Sequence, residues 1–166
     1  MERPHDPKLR QGLDQRKQAF AMFMDTELRR TYFLLLLPAV FGLLLTFLLQ
    51  YLDVLGPGGF RPPVLVASFL FVLSGVFALA LPIYYRTIFA NRMRSRQNTP
   101  EAEWFRFERN LILIPLVTPY ITLAAHVLRL PRFHLAGTIL MTLYALYYYY
   151  PSRRRLDFER RIFRVR

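Results

Sequence analysis

Cysteine is absent from the 166 residues. That rules out disulfides, thiolate metal centres and cysteine nucleophiles. Lysine is nearly absent: Lys8 and Lys17 stand beside 21 arginines, a bias that fits a GC-rich, bacterial coding sequence. The short signatures of common chemistry are missing too. There is no G-x-S-x-G, no H-E-x-x-H, no Walker loop and no G-x-G-x-x-G, so no catalytic residue is assigned and the chain reads as non-enzymatic. The polar and charged start, residues 1–31, does not have the form of a signal peptide, which needs a short basic start followed at once by an apolar stretch. The largest absence is charge itself, over long runs. Blocks 32–52, 64–83, 111–128 and 135–150 hold no Asp, Glu, Lys or Arg. An ionised group inside a membrane is costly and usually functional. Its absence argues against a proton-coupled transporter, a pump, a voltage sensor and a small drug exporter with a membrane-embedded acid.

What is present falls into separate blocks. Hydrophobic residues make up 54% of the chain, yet its formal net charge is +12. A helix crossing the hydrocarbon needs about 20 apolar residues. The first two blocks reach that length, the third is marginal, and the fourth reaches it only as 133–150. A buried hairpin or a re-entrant segment is the alternative for the last two. The arginines choose between these. Residues 1–31 carry seven Lys+Arg, loop 84–110 six and tail 151–166 seven, whereas loop 53–63 carries one and the turn after 128 two. Basic residues stay on the cytoplasmic side. The alternation therefore predicts an all-α integral membrane bundle of four transmembrane helices with both termini cytoplasmic, in a bacterial inner membrane. Tyr32, Tyr84, Tyr85, Trp104 and Tyr147–Tyr150 fall at the expected inner boundary, and Tyr51, Phe60 and Phe133 at the outer one, as amphipathic rings do.

The flanks are expected to meet lipid or protein. Leu9, Leu13, Phe20 and Phe23 recur at roughly helical spacing, which suits either a helix lying on the membrane surface or a partly ordered tail. Thr99-Pro100-Glu101 starts a helix with Trp104, Phe107 and Leu111 on one face. The tail PSRRRLDFERRIFRVR has helical spacing and i,i+4 charge pairs, though its alternation also permits a short strand. Arg92, Arg94, Arg96, Arg153, Arg154 and Arg155 are expected to face anionic headgroups. Acids Glu101, Glu103, Glu108, Asp157 and Glu159 each stand near Arg and read as surface pairs. Nucleic acid is not an expected partner; anionic lipid, other membrane subunits or self-association are.

Within the spans the pattern is one of packing. Thr118, Thr122 and Ala125 repeat at i, i+4, i+7, as do Thr138, Thr142 and Ala145. Ala67, Ser74 and Ala78 share a face, and Gly42 and Thr46 are four apart. Small residues let helices approach in lipid. Pro115 and Pro119 predict a kink in the third span. The function this supports is packing against or assembling a larger membrane complex, or organising anionic lipid. The alternative is a haem- or quinone-binding subunit using His126 and His134 with Tyr144 and Tyr148; neutral imidazoles ligate haem iron. No metal site and no resident cofactor are assigned.

Overall fold

The computed structural model describes residues 7–52, 62–94 and 99–163, with side chains from Met22 onward. Those residues are helical, with no strand among them. Loop residues 53–61, with Phe60 and Arg61, lie outside the described set, as do Arg96 and residues 164–166. So do the side chains of Leu9, Leu13 and Phe20.

Helix α1 (Pro7–Tyr51) runs unbroken through Pro38. The basic start from Pro7 is therefore continuous with the first apolar block and is not a separate element. Helix α2 (Val64–Gly75) passes through a five-residue π-helical turn, Val76–Ala80, into α3 (Leu81–Met93). The cause of that turn is Pro82, which cannot donate to the carbonyl of Ala78. The widened turn instead has the Leu81 N–H reach back to Val76 O, and π-bulges of this kind relieve the helix ladder at such points. Helix α4 (Glu101–Leu113) leads through one 3₁₀ turn, Pro115–Val117, into α5 (Thr118–Val127). This is where the proline pair predicted a kink. Pro119 has no N–H for Pro115 O, and the Thr118 hydroxyl fills that place, donating to Pro115 O at 2.7 Å.

Helix α6 (Arg132–Tyr148) follows a tight turn and returns alongside α5. The turn puts Arg129 at φ 52°, left-handed backbone for a non-glycine residue. Pro151 then separates α6 from α7 (Arg153–Ile162), where Ser152 caps the helix by accepting the Arg155 N–H at 3.3 Å. The tail is thus helix rather than strand. Its last turn carries Arg160 and Arg161, which complement the negative end of the helix dipole.

Three helical stretches, Met22–Tyr51, Val64–Met93 and Glu101–Val127, are long and apolar enough to cross a membrane. Their packing is inverted relative to a water-soluble bundle. Leu34, Leu37, Phe41, Leu44, Phe47, Phe69 and Val72 face outward, while Ala39, Ala67, Ser74, Ala78, Thr118, Ala125, Thr138 and Ala145 are buried between helices. These features together point to an integral membrane protein. The end where α7 lies is built the other way. There Met24, Leu28 and Tyr32 of α1 close on Trp104, Phe107, Leu111 and Ile112 of α4 and on Leu156 and Phe163 at the tail. These are large side chains, fully or nearly fully buried.

Candidate functional site

Two places combine polar groups with space. The first lies where α7 crosses beneath α3, α4 and α6. Glu108 and Glu159 sit in the apolar stripes of α4 and α7, flanked by Phe107 and Leu111 on one helix and by Leu156 and Phe163 on the other. Their side chains are 0% and 4% exposed. Arg155 links them: Nη2 lies 3.3 Å from Glu108 Oε2 and Nε lies 3.4 Å from Glu159 Oε1. Its Nη1 donates to Tyr148 O at 3.5 Å, and its guanidinium stands 5.5 Å from the centroid of the Tyr149 ring. Arg86 of α3 approaches Glu159 Oε1 at 3.8 Å with its side chain 37% exposed. Two guanidinium groups thus face two carboxyl groups. Glu108 Oε1 and Glu159 Oε2 have no hydrogen-bond partner among the described residues and are shielded from solvent.

Around this centre α7 is pinned along its length. Arg29 Nε donates to Pro151 O at 3.2 Å, ahead of the helix. Arg160 lies 4.7 Å over the Trp104 ring and 3.6 Å from Asp25 Oδ1. At the far end the Thr99 hydroxyl donates to Phe163 O at 2.7 Å. The Phe163 ring meets Phe89 and Phe107 edge-on, and those two rings stack at 3.9 Å. An ion pair this buried gives little net stability against an apolar replacement, but losing one partner strands the other at a cost of about 3–5 kcal/mol. It therefore selects one docked position for α7.

The second place is near the turn between α5 and α6. His126 lines an apolar cleft of about 370 Å³ between α1, α5 and α6, together with Val40, Leu43, Phe47, Ile139 and Leu143. Its Nε2 has no partner. His134 faces α2 instead: Nε2 is 3.3 Å from Ser68 Oγ, and the Phe71 and Phe133 rings stand edge-on to the imidazole. The two histidines therefore have different surroundings. Gln50 reaches this turn by donating to His126 O at 3.4 Å.

The remaining sequence candidates divide clearly. Ser74, Ala78, Thr118, Thr122, Thr138 and Thr142 are buried. At Gly42 an added Cβ would lie 2.8 Å from Leu123 Cδ2, so the α5 leucine packs directly on the glycine. Thr122 donates its one hydrogen to Thr138 O at 3.0 Å, so Thr142 is the donor in the 2.8 Å contact between their hydroxyls. Tyr120 donates to Leu35 O and Tyr32 to Leu146 O, which leaves these hydroxyls occupied by backbone. Tyr144 and Tyr148 stack on each other at 5.5 Å. Arg92, Arg94, Arg153 and Arg154 are exposed. Two expectations need correction. Arg155, grouped with the lipid-facing arginines, is held inside by Glu108, Glu159 and Tyr148. Glu108 and Glu159, read as surface acids, are buried. A signal for them was present: each is an acid inside an apolar helical stripe, Trp104/Phe107/Leu111 and Leu156/Phe163, where a carboxyl group needs a cation.

Among the described residues no three His, Asp or Glu side chains gather as a metal site requires. Comparison with protein families, with characterised proteins and with solved structures returns no match.

Proposed function

We propose that this is a four-span, non-enzymatic protein of the bacterial cytoplasmic membrane. Both termini are cytoplasmic, and the protein organises anionic lipid at its α7 end while packing against neighbouring membrane subunits. The observation that carries the reading is the reversal of side-chain sorting along the molecule. Large apolar residues face out along the uncharged helices and face in at the α7 end, as expected where the surroundings change from lipid to water. Helix α6 is 17 residues long, about 25 Å at 1.5 Å per residue, close to the hydrocarbon thickness. It runs back alongside α5 after a tight turn, which supports a fourth crossing. Exposed Arg92, Arg94, Arg153 and Arg154 take part in no ion pair among the described residues. Each contributes about 1 kcal/mol toward an anionic surface.

Reconstitution into nanodiscs of mixed phosphatidylglycerol and phosphatidylcholine tests this. The protein is expected to enrich phosphatidylglycerol in its bound lipid. A variant with all four of these arginines changed to Gln is expected to lose most of that enrichment. Equal enrichment by both proteins contradicts the lipid role. Co-purification from gentle detergent extracts tests the packing role, which recovery of the protein always alone would contradict.

The cleft beside His126 favours a second reading. Its volume and a mostly apolar lining with only His126, Thr122 and Thr142 polar suit a quinone, with His126 Nε2 facing the ring oxygen. Quinone in the lipid extract of the purified protein, lost in His126→Ala, would favour this reading. A Soret band lost in the same variant would favour haem.

A further inference from the structure

The ion cluster at the α7 end borders a small, partly enclosed cavity that its own residues leave unsatisfied. About 70 Å³ of space lies between α3, α6 and α7, enclosed by Pro82, Arg86, Tyr144, Tyr148, Arg155 and Glu159. Its floor is Glu159, nearly fully buried, with Oε2 lacking any donor. Tyrosine rings form a wall. Its mouth opens between Ile83, Tyr144 and Tyr148, all exposed on the side of the bundle. Arg86 lines the same space, 37% exposed, and its one ion pair among the described residues is with Glu159.

Arg155 and Arg86 approach Glu108 Oε2 and Glu159 Oε1, which leaves Glu159 Oε2 for a ligand that brings N–H donors. The positions of the charges define that ligand. A cation belongs on the Glu159 floor against the tyrosine faces. An anion belongs at Arg86, the half-exposed guanidinium. The order from inside to outside is ammonium and then phosphate. Size narrows the choice further. The cavity holds roughly two waters at ~30 Å³ each, enough for an ethylammonium arm. A choline arm, with its trimethylammonium head, has twice the heavy atoms and no N–H to give.

We propose that this cavity binds the headgroup of an aminophospholipid, with the primary ammonium on Glu159, the phosphate on Arg86, and the acyl chains lying along Ile83 and Tyr144. The assignment deepens the lipid role proposed above and rests on the α7 end lying at headgroup level. Charge is balanced on both sides: the ligand is zwitterionic, and the cluster sets two guanidinium groups against two carboxyl groups.

The test is native mass spectrometry of the full-length protein. It is released from nanodiscs containing equal phosphatidylethanolamine, phosphatidylcholine and phosphatidylglycerol. One phosphatidylethanolamine is expected to stay bound, at least tenfold over phosphatidylcholine, equivalent to about 1.4 kcal/mol. Arg86→Gln is expected to remove most of that preference. Ile83→Trp, which plugs the mouth from the exposed side without touching the ion cluster, is expected to remove it too, with an unchanged circular dichroism spectrum. Equal retention of phosphatidylethanolamine and phosphatidylcholine overturns the proposal, as does full retention by Ile83→Trp. Soluble phosphoethanolamine is expected not to displace the lipid at equal concentration; displacement by it would overturn the lipid assignment. Phosphatidylglycerol enrichment that depends on Arg92, Arg94, Arg153 and Arg154 is read in the same spectra. The broader lipid role therefore stands or falls separately.

Discussion

The apolar midsection and the α7 end solve the same problem, holding helices together, by opposite means. In the midsection the buried residues are small and the large ones point away. Packing there depends on close approach, at Gly42 against Leu123 and along the Ala67–Ser74–Ala78 face, because lipid offers no reward for hiding a leucine. Its threonine hydroxyl groups are spent on backbone or on one another, as in Thr46 to Gly42 O and Thr122 to Thr138 O. At the α7 end the buried residues are Trp104, Phe107, Leu111 and Leu156, which gain by leaving water. Charged groups there find partners far along the chain. The lesson is that each section is stabilised by what its surroundings make unfavourable. Substitutions of the same kind should therefore behave differently in the two.

The largest difference is expected from charge. Arg155→Ala leaves Glu108 without a cation and should cost about 3–5 kcal/mol, read as a large fall in the midpoint of thermal denaturation in detergent. A fall no larger than that of Arg153→Ala, on the exposed side of the same helix, would show that α7 is not docked as described. Truncating large apolar residues comes next. Trp104→Ala should cost about 3–5 kcal/mol, whereas Leu44→Ala, 64% exposed in the midsection, should stay within about 0.5 kcal/mol. Similar losses would erase the contrast. Adding bulk should reverse the ranking. Ala125→Leu, buried in the midsection between α5 and its neighbours, should cost about 1–3 kcal/mol through overpacking. The smallest effect is expected at Thr122→Val, about 1 kcal/mol at ~0.6 kcal/mol for each of the two cross-helix hydrogen bonds lost, with Thr142 free to turn to its own backbone.

How much of this was legible in the sequence follows from the distance over which each feature is encoded. Uncharged runs, the proline pair and the small-residue repeats are local patterns, and a membrane solvent leaves them plainly written. The start of α4 at Glu101 was equally readable from its Thr-Pro-Glu signal. The ion cluster was not, because Glu108 and Arg155 are 47 residues apart and the apparent partner of each acid was a neighbour in sequence. Arg155 and Arg154 are adjacent and chemically identical, yet one is held inside and the other faces out. Only the phase of α7 separates them, and that phase depends on Leu156, Glu159 and Phe163 docking together. The π turn at Val76–Ala80 was illegible for a related reason: the ladder that Pro82 disrupts lies one turn before the proline itself.

The most direct test of the account is the sidedness of the chain, and the absence of cysteine makes it clean. Single-cysteine variants Asn91→Cys, Arg132→Cys and Arg153→Cys are exposed to a membrane-impermeant maleimide in intact cells and again after lysis. Four crossings with both ends cytoplasmic predict labelling of Arg132→Cys in intact cells, and of Asn91→Cys and Arg153→Cys only after lysis. Labelling of Arg153→Cys in intact cells, or protection of Arg132→Cys until lysis, would contradict it.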